Sequence, residues 1–200
     1  MSQRAILIDI GGVLVHDYLT AAAAEWSSRL GMSPATFLAA LFGGNDDQVL
    51  IGRVSEESWW RIVRDRLGVG ADLINTIRCD LASREVWDAS LVEGLRGLRG
   101  SAKTAIVSNT WPEIRVRMAR VGLLDMVDAI LLSCEVGYAK PDPRIYTAAL
   151  RCVGADPTET LFIDDAPANV AAASSLGIHS HRHTNTNDTL ARILEFTLAG

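Results

Sequence analysis

Three segments of the chain share one design, in which a run of apolar residues stops at a small polar or acidic residue. They are residues 6–9, 106–108 and 161–165, ending in Asp9, Ser108 and the pair Asp164-Asp165. Such a run is typical of a buried parallel strand whose C-terminal end opens into a site. A fourth segment, 138–143, carries Lys140. The sequence therefore predicts a carboxylate, a hydroxyl, an ammonium and a second pair of carboxylates at one edge of a parallel sheet.

The acidic residues at these strand ends suit phosphoryl chemistry. Asp9 precedes two glycines, which let the backbone turn sharply and let a substrate approach closely. A carboxylate there can attack phosphorus and form an aspartyl-phosphate, although an Asp that merely caps a turn is the alternative. Asp164 and Asp165 repel each other unless a cation binds, and Mg²⁺ prefers such hard oxygen ligands. The alternative for this pair is capping of the helix that begins near Pro167.

Ser108 ends the second run, where a hydroxyl and backbone amides near a helix N-terminus can bind phosphate oxygens. We expect Asn109 to contribute its backbone amide to this site, and Thr110 to cap the following helix. Ser108, Asn109 and Lys140 are thus the candidate phosphate-binding residues.

Taken jointly, the four segments resemble those of the haloacid dehalogenase-like hydrolases, most of which are phosphatases, over about residues 4–179. The resemblance implies magnesium-dependent hydrolysis of a small phosphate monoester, with Asp9 as nucleophile. It also implies that Asp9, the Gly11 carbonyl and Asp164 hold Mg²⁺, with Asp165 behind them or reaching the ion through water. Lys140 would balance charge on Asp9 and on the transferring phosphoryl group.

Gly11 departs from the family pattern, which usually has an acid two residues after the nucleophile. That acid protonates the leaving alcohol and later activates water. His16 or Asp17 could substitute through water, or both could be plain loop residues. Two other functions stay open: a haloacid dehalogenase that uses Asp9 on carbon without metal, and a catalytically silent domain that binds a ligand or partner.

The spacing of apolar residues divides the chain. Residues 15–86 carry helical patterns that begin near Thr20, Ser33, Ser55 and Leu73, whereas strand and helix alternate from Leu91 onward. We therefore expect an α/β fold with a Rossmann-like, doubly wound parallel sheet formed by residues 1–14 and 87–200, and an inserted helical cap over 15–86. Residues 178–183 should form a solvent-facing edge strand, with its three histidines on one face.

Composition narrows the partners. The net charge of −5 argues against nucleic acid, because phosphate contacts need clustered Lys and Arg. Neither a signal peptide nor a membrane-length apolar run is visible. The three cysteines show no metal-type spacing and are expected to be reduced and mostly buried, as in a cytoplasmic protein. We expect a small phosphorylated metabolite as substrate, and a monomer or a homodimer.

Overall fold

A five-stranded parallel sheet forms the centre of the computed structural model, which describes residues 3–42 and 47–198. The strands lie in the order β3-β2-β1-β4-β5, and the chain changes direction across the sheet at β1. This arrangement confirms the predicted α/β Rossmann-like fold. Ligands of such sheets bind at the C-terminal ends of the strands beside the change of direction. The strands are β1 (Ala5–Ile8), β2 (Lys103–Ser108), β3 (Ala129–Leu132), β4 (Thr160–Asp164) and β5 (His179–Arg182).

Two apolar clusters cover the faces of the sheet. Ile6 and Ile8 of β1 point into one cluster, and Ala5 and Leu7 point into the other. All four side chains are fully buried. The sequence of β1 is therefore apolar at every position, rather than alternating between apolar and polar residues. The first cluster is completed by α6 (Ala89–Gly97), α7 (Ile114–Arg120) and α11 (Thr186–Leu198), and the second by α9 (Pro143–Val153) and α10 (Pro167–Ser175).

A block of helices with its own apolar cluster lies between β1 and α6. Trp26, Phe37, Trp59, Val63 and Ile77 are among its buried residues, and none of the described residues 16–86 belongs to a strand of the sheet. The predicted boundaries of this cap, at 14/15 and 86/87, stay a prediction. Its helices are α1 (Leu19–Leu30), α2 (Pro34–Phe42), α3 (Asp47–Leu50), α4 (Glu56–Leu67) and α5 (Ala71–Ser83).

Capping side chains and a glycine mark where α4 and α9 begin or end. The Ser55 side chain accepts a hydrogen bond from the Ser58 amide at 3.2 Å, and α4 ends at Gly68 with a φ of 64°. Asp142 caps α9 in the same way. The sequence also suggests Thr20 as the cap of α1, and this is wrong: α1 already begins at Leu19, and Asp17 supplies the acceptor for its first amides.

The chain leaves the core and returns to it at neighbouring points. Val15 and Trp87 form an antiparallel bridge. On either side of it the His16 amide donates to the Val86 carbonyl at 3.0 Å, and the Asp88 amide donates to the Leu14 carbonyl at 2.8 Å. Both connections to the cap therefore run side by side.

The C-terminal histidines and the cysteines differ from expectation. His181 and His183 are partly buried, and both lie within hydrogen-bond distance of Thr189 Oγ1 on α11, so they do not simply face solvent. Burial lowers the pKa of both imidazoles. Cys79 and Cys152 are exposed, so the expectation of mostly buried thiols was wrong. In the described part of the chain, every helix is too short or too polar to cross a membrane.

Candidate active site

The side chains that end β1, β2 and β4 meet at the C-terminal edge of the sheet. β1 pairs with both neighbours, and Ile8 lies opposite Ile106 and Ile163, so the polar residues that follow fall at nearly the same height. Lys140, on the loop between α8 (Ser133–Val136) and α9, reaches into the same place. Its Nζ lies 2.8 Å from Asp9 Oδ1 and 2.6 Å from Asp164 Oδ2.

Asp9 is held in a buried position. Oδ1 accepts a hydrogen bond from the Ile10 amide at 2.7 Å and contacts the Lys140 ammonium. Burial raises the pKa of Asp9 to about 6; the Lys140 charge opposes this, Asp164 adds to it, and a hydrogen bond with Ser108 lowers it. Without a further cation, this carboxyl group therefore ionises at a higher pH than a free aspartate does.

The Asp164 carboxylate is fully buried and fully engaged by donors. Besides Lys140, it accepts hydrogen bonds from the Ala166 amide at 2.9 Å and from Asn169 Nδ2 at 3.0 and 3.1 Å, so that both oxygens are used. These bonds fix Asp164 and, through it, the Lys140 ammonium. Asn169 is a site residue that the sequence analysis missed, because its role depends on how α10 packs against β4.

Asp165 differs from Asp164 in both exposure and hydrogen bonding. Its side chain is far more exposed than that of Asp164, and none of the other described residues donates a hydrogen bond to its carboxylate. It lies against Gly12, where an added Cβ would overlap the carboxylate and where φ is +70°. Partial burial, followed by the charge of Asp164, raises the pKa of Asp165. The Asp165 oxygens are therefore the ones left free to bind a ligand.

Asp9, Asp164 and Asp165 together form a candidate metal site. Each offers an oxygen atom within 4.8 Å of the others. Three carboxylates beside one ammonium carry excess negative charge, and hard oxygen donors of this kind suit a divalent cation such as Mg²⁺. Gly11, whose carbonyl the sequence analysis proposed as a further ligand, lies on the exposed turn next to Gly12.

Asn109 uses its side chain rather than its amide alone. Its Nδ2 donates to the Lys140 carbonyl at 2.7 Å, and its Oδ1 accepts from the Lys140 amide at 2.7 Å. Ser108 is buried beside Asp9. Thr110 does not cap a helix, since α7 begins only at Ile114; its amide donates to Ser133 Oγ at 2.9 Å.

The two proposed substitutes for the missing acid are placed differently. The Asp17 carboxylate accepts hydrogen bonds from the Leu19 amide at 3.0 Å and from the Thr20 hydroxyl at 2.7 Å, which commits it to the start of α1. Both residues line the same cleft as Gly11 and Asp165, but the exposed His16 side chain is not tied to the start of a helix. His16 is therefore the better placed of the two to exchange protons with a bound ligand.

A cleft of about 280 Å³ extends from this edge of the sheet toward the cap. Gly11, Gly12, Ser108, Asn109 and Asp165 line it at the sheet. Its far side includes a set of residues that the sequence analysis did not connect with the site, namely Tyr18, Phe42, Glu85, Trp111 and Arg117. Glu85 pairs with Arg117 and accepts a hydrogen bond from the Tyr18 hydroxyl at 3.4 Å.

Comparison with known proteins places these features in a family. A model of the haloacid dehalogenase-like hydrolases matches residues 3–177. The chain is 27% identical to bifunctional epoxide hydrolase 2 of Sus scrofa over 98% of its length, but spans only 39% of that protein. It is 26% identical to a D-ribitol-5-phosphate phosphatase of Bacteroides thetaiotaomicron, over 92% of this chain and 94% of that protein.

The fold matches a solved structure as well. The crystal structure of a HAD family enzyme from Bacteroides thetaiotaomicron in complex with magnesium superposes with a TM-score of 0.72 and 25% identity, over 92% of this chain and 94% of that one. The family match, the parallel sheet and the carboxylates at its C-terminal edge agree with one another. The chain belongs to the haloacid dehalogenase-like hydrolase family.

Proposed function

We propose that this enzyme hydrolyses a small phosphate monoester with Mg²⁺ bound, through an aspartyl-phosphate on Asp9. The observation that carries the proposal is the cluster of three carboxylates around one buried ammonium at the point where the sheet changes direction. The similarity to a phosphatase over nearly its whole length supports the same reaction. A cleft of about 280 Å³ suits a small metabolite.

Asp9 is the nucleophile. The Ile10 amide and the Lys140 ammonium both contact Oδ1, so we assign the attack on phosphorus to Oδ2. As the new P–O bond forms, the ester P–O bond breaks and the alcohol leaves with a proton. Water then attacks phosphorus, releases inorganic phosphate and restores the Asp9 carboxylate.

Lys140 and Ser108 surround the phosphoryl group. The Lys140 ammonium is shared between Asp9 and Asp164, so it can stabilise negative charge that develops on the transferring group without moving. The Ser108 hydroxyl and the backbone amide of Asn109 bind phosphate oxygens, while the Asn109 side chain holds the Lys140 backbone.

The geometry favours one change in the ligand set inferred from the sequence. Asp164 already accepts four hydrogen bonds, whereas the Asp165 carboxylate is free and lines the cleft. We assign Asp9, Asp165 and the Gly11 carbonyl to direct contact with Mg²⁺, with Asp164 orienting Lys140. The bound ion supplies positive charge that neutralises the phosphate and the carboxylates.

His16 takes the proton-transfer role that Gly11 cannot. It is exposed on the cleft and lies near the titratable side chains of Asp88 and His183. His16 would protonate the leaving oxygen through one bridging water, an arrangement that general acid catalysis allows.

A haloacid dehalogenase is the second candidate function, since its reaction needs the same nucleophile. The free Asp165 carboxylate beside Asp9 opposes it, because a haloacid also carries a carboxylate and no ion would screen the repulsion.

The test is hydrolysis of a panel of phosphate monoesters, in Mg²⁺ and in excess chelator, together with release of halide from a 2-haloacid. We expect Mg²⁺-dependent phosphate release and an acid-stable aspartyl-phosphate that Asp9→Asn abolishes. Full phosphate release in chelator would refute the metal assignment. Chelator-resistant halide release would establish the dehalogenase, and turnover of neither class would favour a silent binding domain.

A further inference from the structure

A small cavity lies where the cap meets the core, at the far end of the cleft. Its volume is about 40 Å³, against roughly 10–15 Å³ for one water. It shares five lining residues with the cleft, so it continues the cleft away from the sheet edge. The shared residues are Tyr18, Leu19, Phe42, Trp111 and Arg117.

Aromatic rings form one wall of this cavity. The Trp59 ring lies 4.7 Å from that of Trp60 and 5.2 Å from that of Trp111, the latter in a stacked arrangement, and Phe42 lies 6.4 Å away. Indole faces attract cations through their quadrupole, most strongly where water is excluded. The wall already meets a cation, since the Arg78 guanidinium carbon lies 6.0 Å from the centre of the Trp60 ring.

Glu56, the first residue of α4, lines the cavity with an unsatisfied oxygen. The residue is only 8% exposed, and Oε2 has no hydrogen-bond partner among the described residues. Oε1 accepts a hydrogen bond of 3.4 Å from Trp60 Nε1 and lies 3.6 Å from Arg78 Nη2. Leaving a buried acceptor unbonded is unfavourable, so this oxygen marks a position where a donor is missing.

The charges around the cavity leave Glu56 without a full counter-charge. Arg78 Nη2 lies 2.6 Å from Glu113, closer than it lies to Glu56, and Arg117 pairs with Glu85. Three glutamates thus face two arginines that are already engaged. Burial, and after it the charge of Glu113, raises the pKa of Glu56, while the Trp60 hydrogen bond and the charge of Arg78 oppose this rise.

We propose that this cavity binds an ammonium group at the far end of the substrate, between Glu56 and the rings of Trp59, Trp60 and Trp111. The inference rests on the proposed function: with the phosphate at Ser108 and Lys140, the substrate is a phosphorylated amino alcohol. The phosphate end is recognised at the sheet edge, and the ammonium end is recognised by the cap.

A matched series of phosphate esters tests the assignment. At each chain length, wild-type kcat/KM is compared for the ω-aminoalkyl, ω-hydroxyalkyl and n-alkyl phosphates in saturating Mg²⁺. We expect the best amino ester to exceed its alkyl counterpart by roughly 10- to 100-fold, the effect of a hydrogen bond to a charged group. No preference for the amino ester, or an equal preference for the hydroxyl ester, would overturn the proposal.

Glu56→Gln removes the charge and keeps the shape, and Glu57→Gln is the matched control, because Glu57 is exposed on the same turn of α4. The ratio of amino to alkyl ester should approach one in Glu56→Gln and stay at the wild-type value in Glu57→Gln. An unchanged ratio in Glu56→Gln would reject the role of Glu56. Should that variant fail to fold, the wild-type series still decides.

A binding measurement separates this inference from the proposed reaction. Three of the five tryptophans line the cavity, so the free amino alcohol should change the tryptophan fluorescence of wild type and have far less effect in Glu56→Gln. If no ester, including activated aryl phosphates, is hydrolysed, the proposed reaction fails, while this fluorescence response would still establish the cation site. Absence of both would reject both.

Discussion

The side chain of Asn109 and the backbone of Lys140 are joined by two hydrogen bonds of 2.7 Å each, one in each direction. The pair ties the end of β2 to the loop that carries the ammonium. Lys140 is therefore fixed at both ends, by Asn109 at its backbone and by Asp9 and Asp164 at its Nζ. Such double anchoring is what a preorganised charge requires.

Replacing Asn109 by Ala should loosen this anchor. The free energy of unfolding should fall by about 1–3 kcal/mol, because both buried backbone groups of Lys140 lose a partner. Displacement of the ammonium by about 1 Å should lower kcat by ~10²-fold. Steady-state kinetics and urea denaturation check this, with Asn75→Ala, at an exposed position of α5, as control. Wild-type kcat in Asn109→Ala would contradict it.

Asp9→Asn should change the pH dependence of stability in excess chelator. The pKa of Asp9 is about 6 in the folded protein against 3.8 for the free side chain, so folding favours the protonated form. Its contribution is fully present below pH 3.8 and is lost as pH rises through 6. Two pKa units amount to about 3 kcal/mol.

Urea denaturation of wild type and Asp9→Asn from pH 4 to pH 8 measures this effect. The wild-type free energy of unfolding should fall relative to the variant as the pH rises, and the exposed control Asp72→Asn should follow wild type. Parallel curves for wild type and Asp9→Asn would show that the buried position does not penalise the charge.

The two adjacent carboxylates should respond differently to amidation. Asp165→Asn should raise the Mg²⁺ concentration for half-maximal activity by at least ~10- to 100-fold, the range seen when groups around a metal ion are removed. Asp164→Asn should chiefly lower kcat and stability, because it frees Lys140 and leaves donors unpaired. Mg²⁺ titrations of activity, with thermal melts, distinguish the two. A larger Mg²⁺ shift in Asp164→Asn would restore the ligand set first inferred from the sequence.

Gly11→Asp should supply the missing acid. A Cβ at Gly11 meets nothing within 4 Å, so the new side chain has room. Because His16 would act only through a water molecule, wild type should still turn over activated aryl phosphates faster than alkyl phosphates, by at most the ~10²–10⁴-fold that a fully absent donor costs, and Gly11→Asp should narrow that gap. The measurement is kcat at saturating Mg²⁺ on matched esters.

Gly12→Asp is the matched control for this substitution. A Cβ at Gly12 would overlap the Asp165 carboxylate. The backbone φ there is +70°, which residues other than glycine rarely adopt. It should lose activity on both ester classes. Equal turnover of aryl and alkyl esters by wild type would show that an efficient acid is already present. In that case His16→Ala should slow the alkyl ester more than the aryl ester if His16 is that acid.

Local signals explain why much of the fold could be predicted. Apolar runs that end in Asp9 and Asp164 mark buried strands, and Ser55 and Asp142 cap helices through contacts within their own turn. The one-turn helices α3 and α8 are too short to show a period. Helix α11 did carry a signal, since Leu190, Ile193 and Phe196 recur every three residues, but it was not recognised.

The remaining features depend on packing between distant segments. No local pattern reveals that Asn169 donates hydrogen bonds to the Asp164 carboxylate, or that the Asn109 side chain binds the Lys140 backbone 31 residues away. The cavity at Glu56 likewise exists only because α4, α5 and the Trp111 loop come together. Sequence patterns thus indicated which residues reach the sheet edge. Tertiary contacts determine which of their polar atoms are already hydrogen-bonded and which can bind a ligand.

The bridge between Val15 and Trp87 makes the helical block a removable insert. Since the Leu14 carbonyl and the Asp88 amide are already 2.8 Å apart, a short turn could replace everything between them without stretching the chain, and closing so small a loop costs little entropy. The two apolar clusters on the sheet would keep nearly all their members. The helical block could thus be exchanged while the sheet and the side chains at its C-terminal edge stay in place.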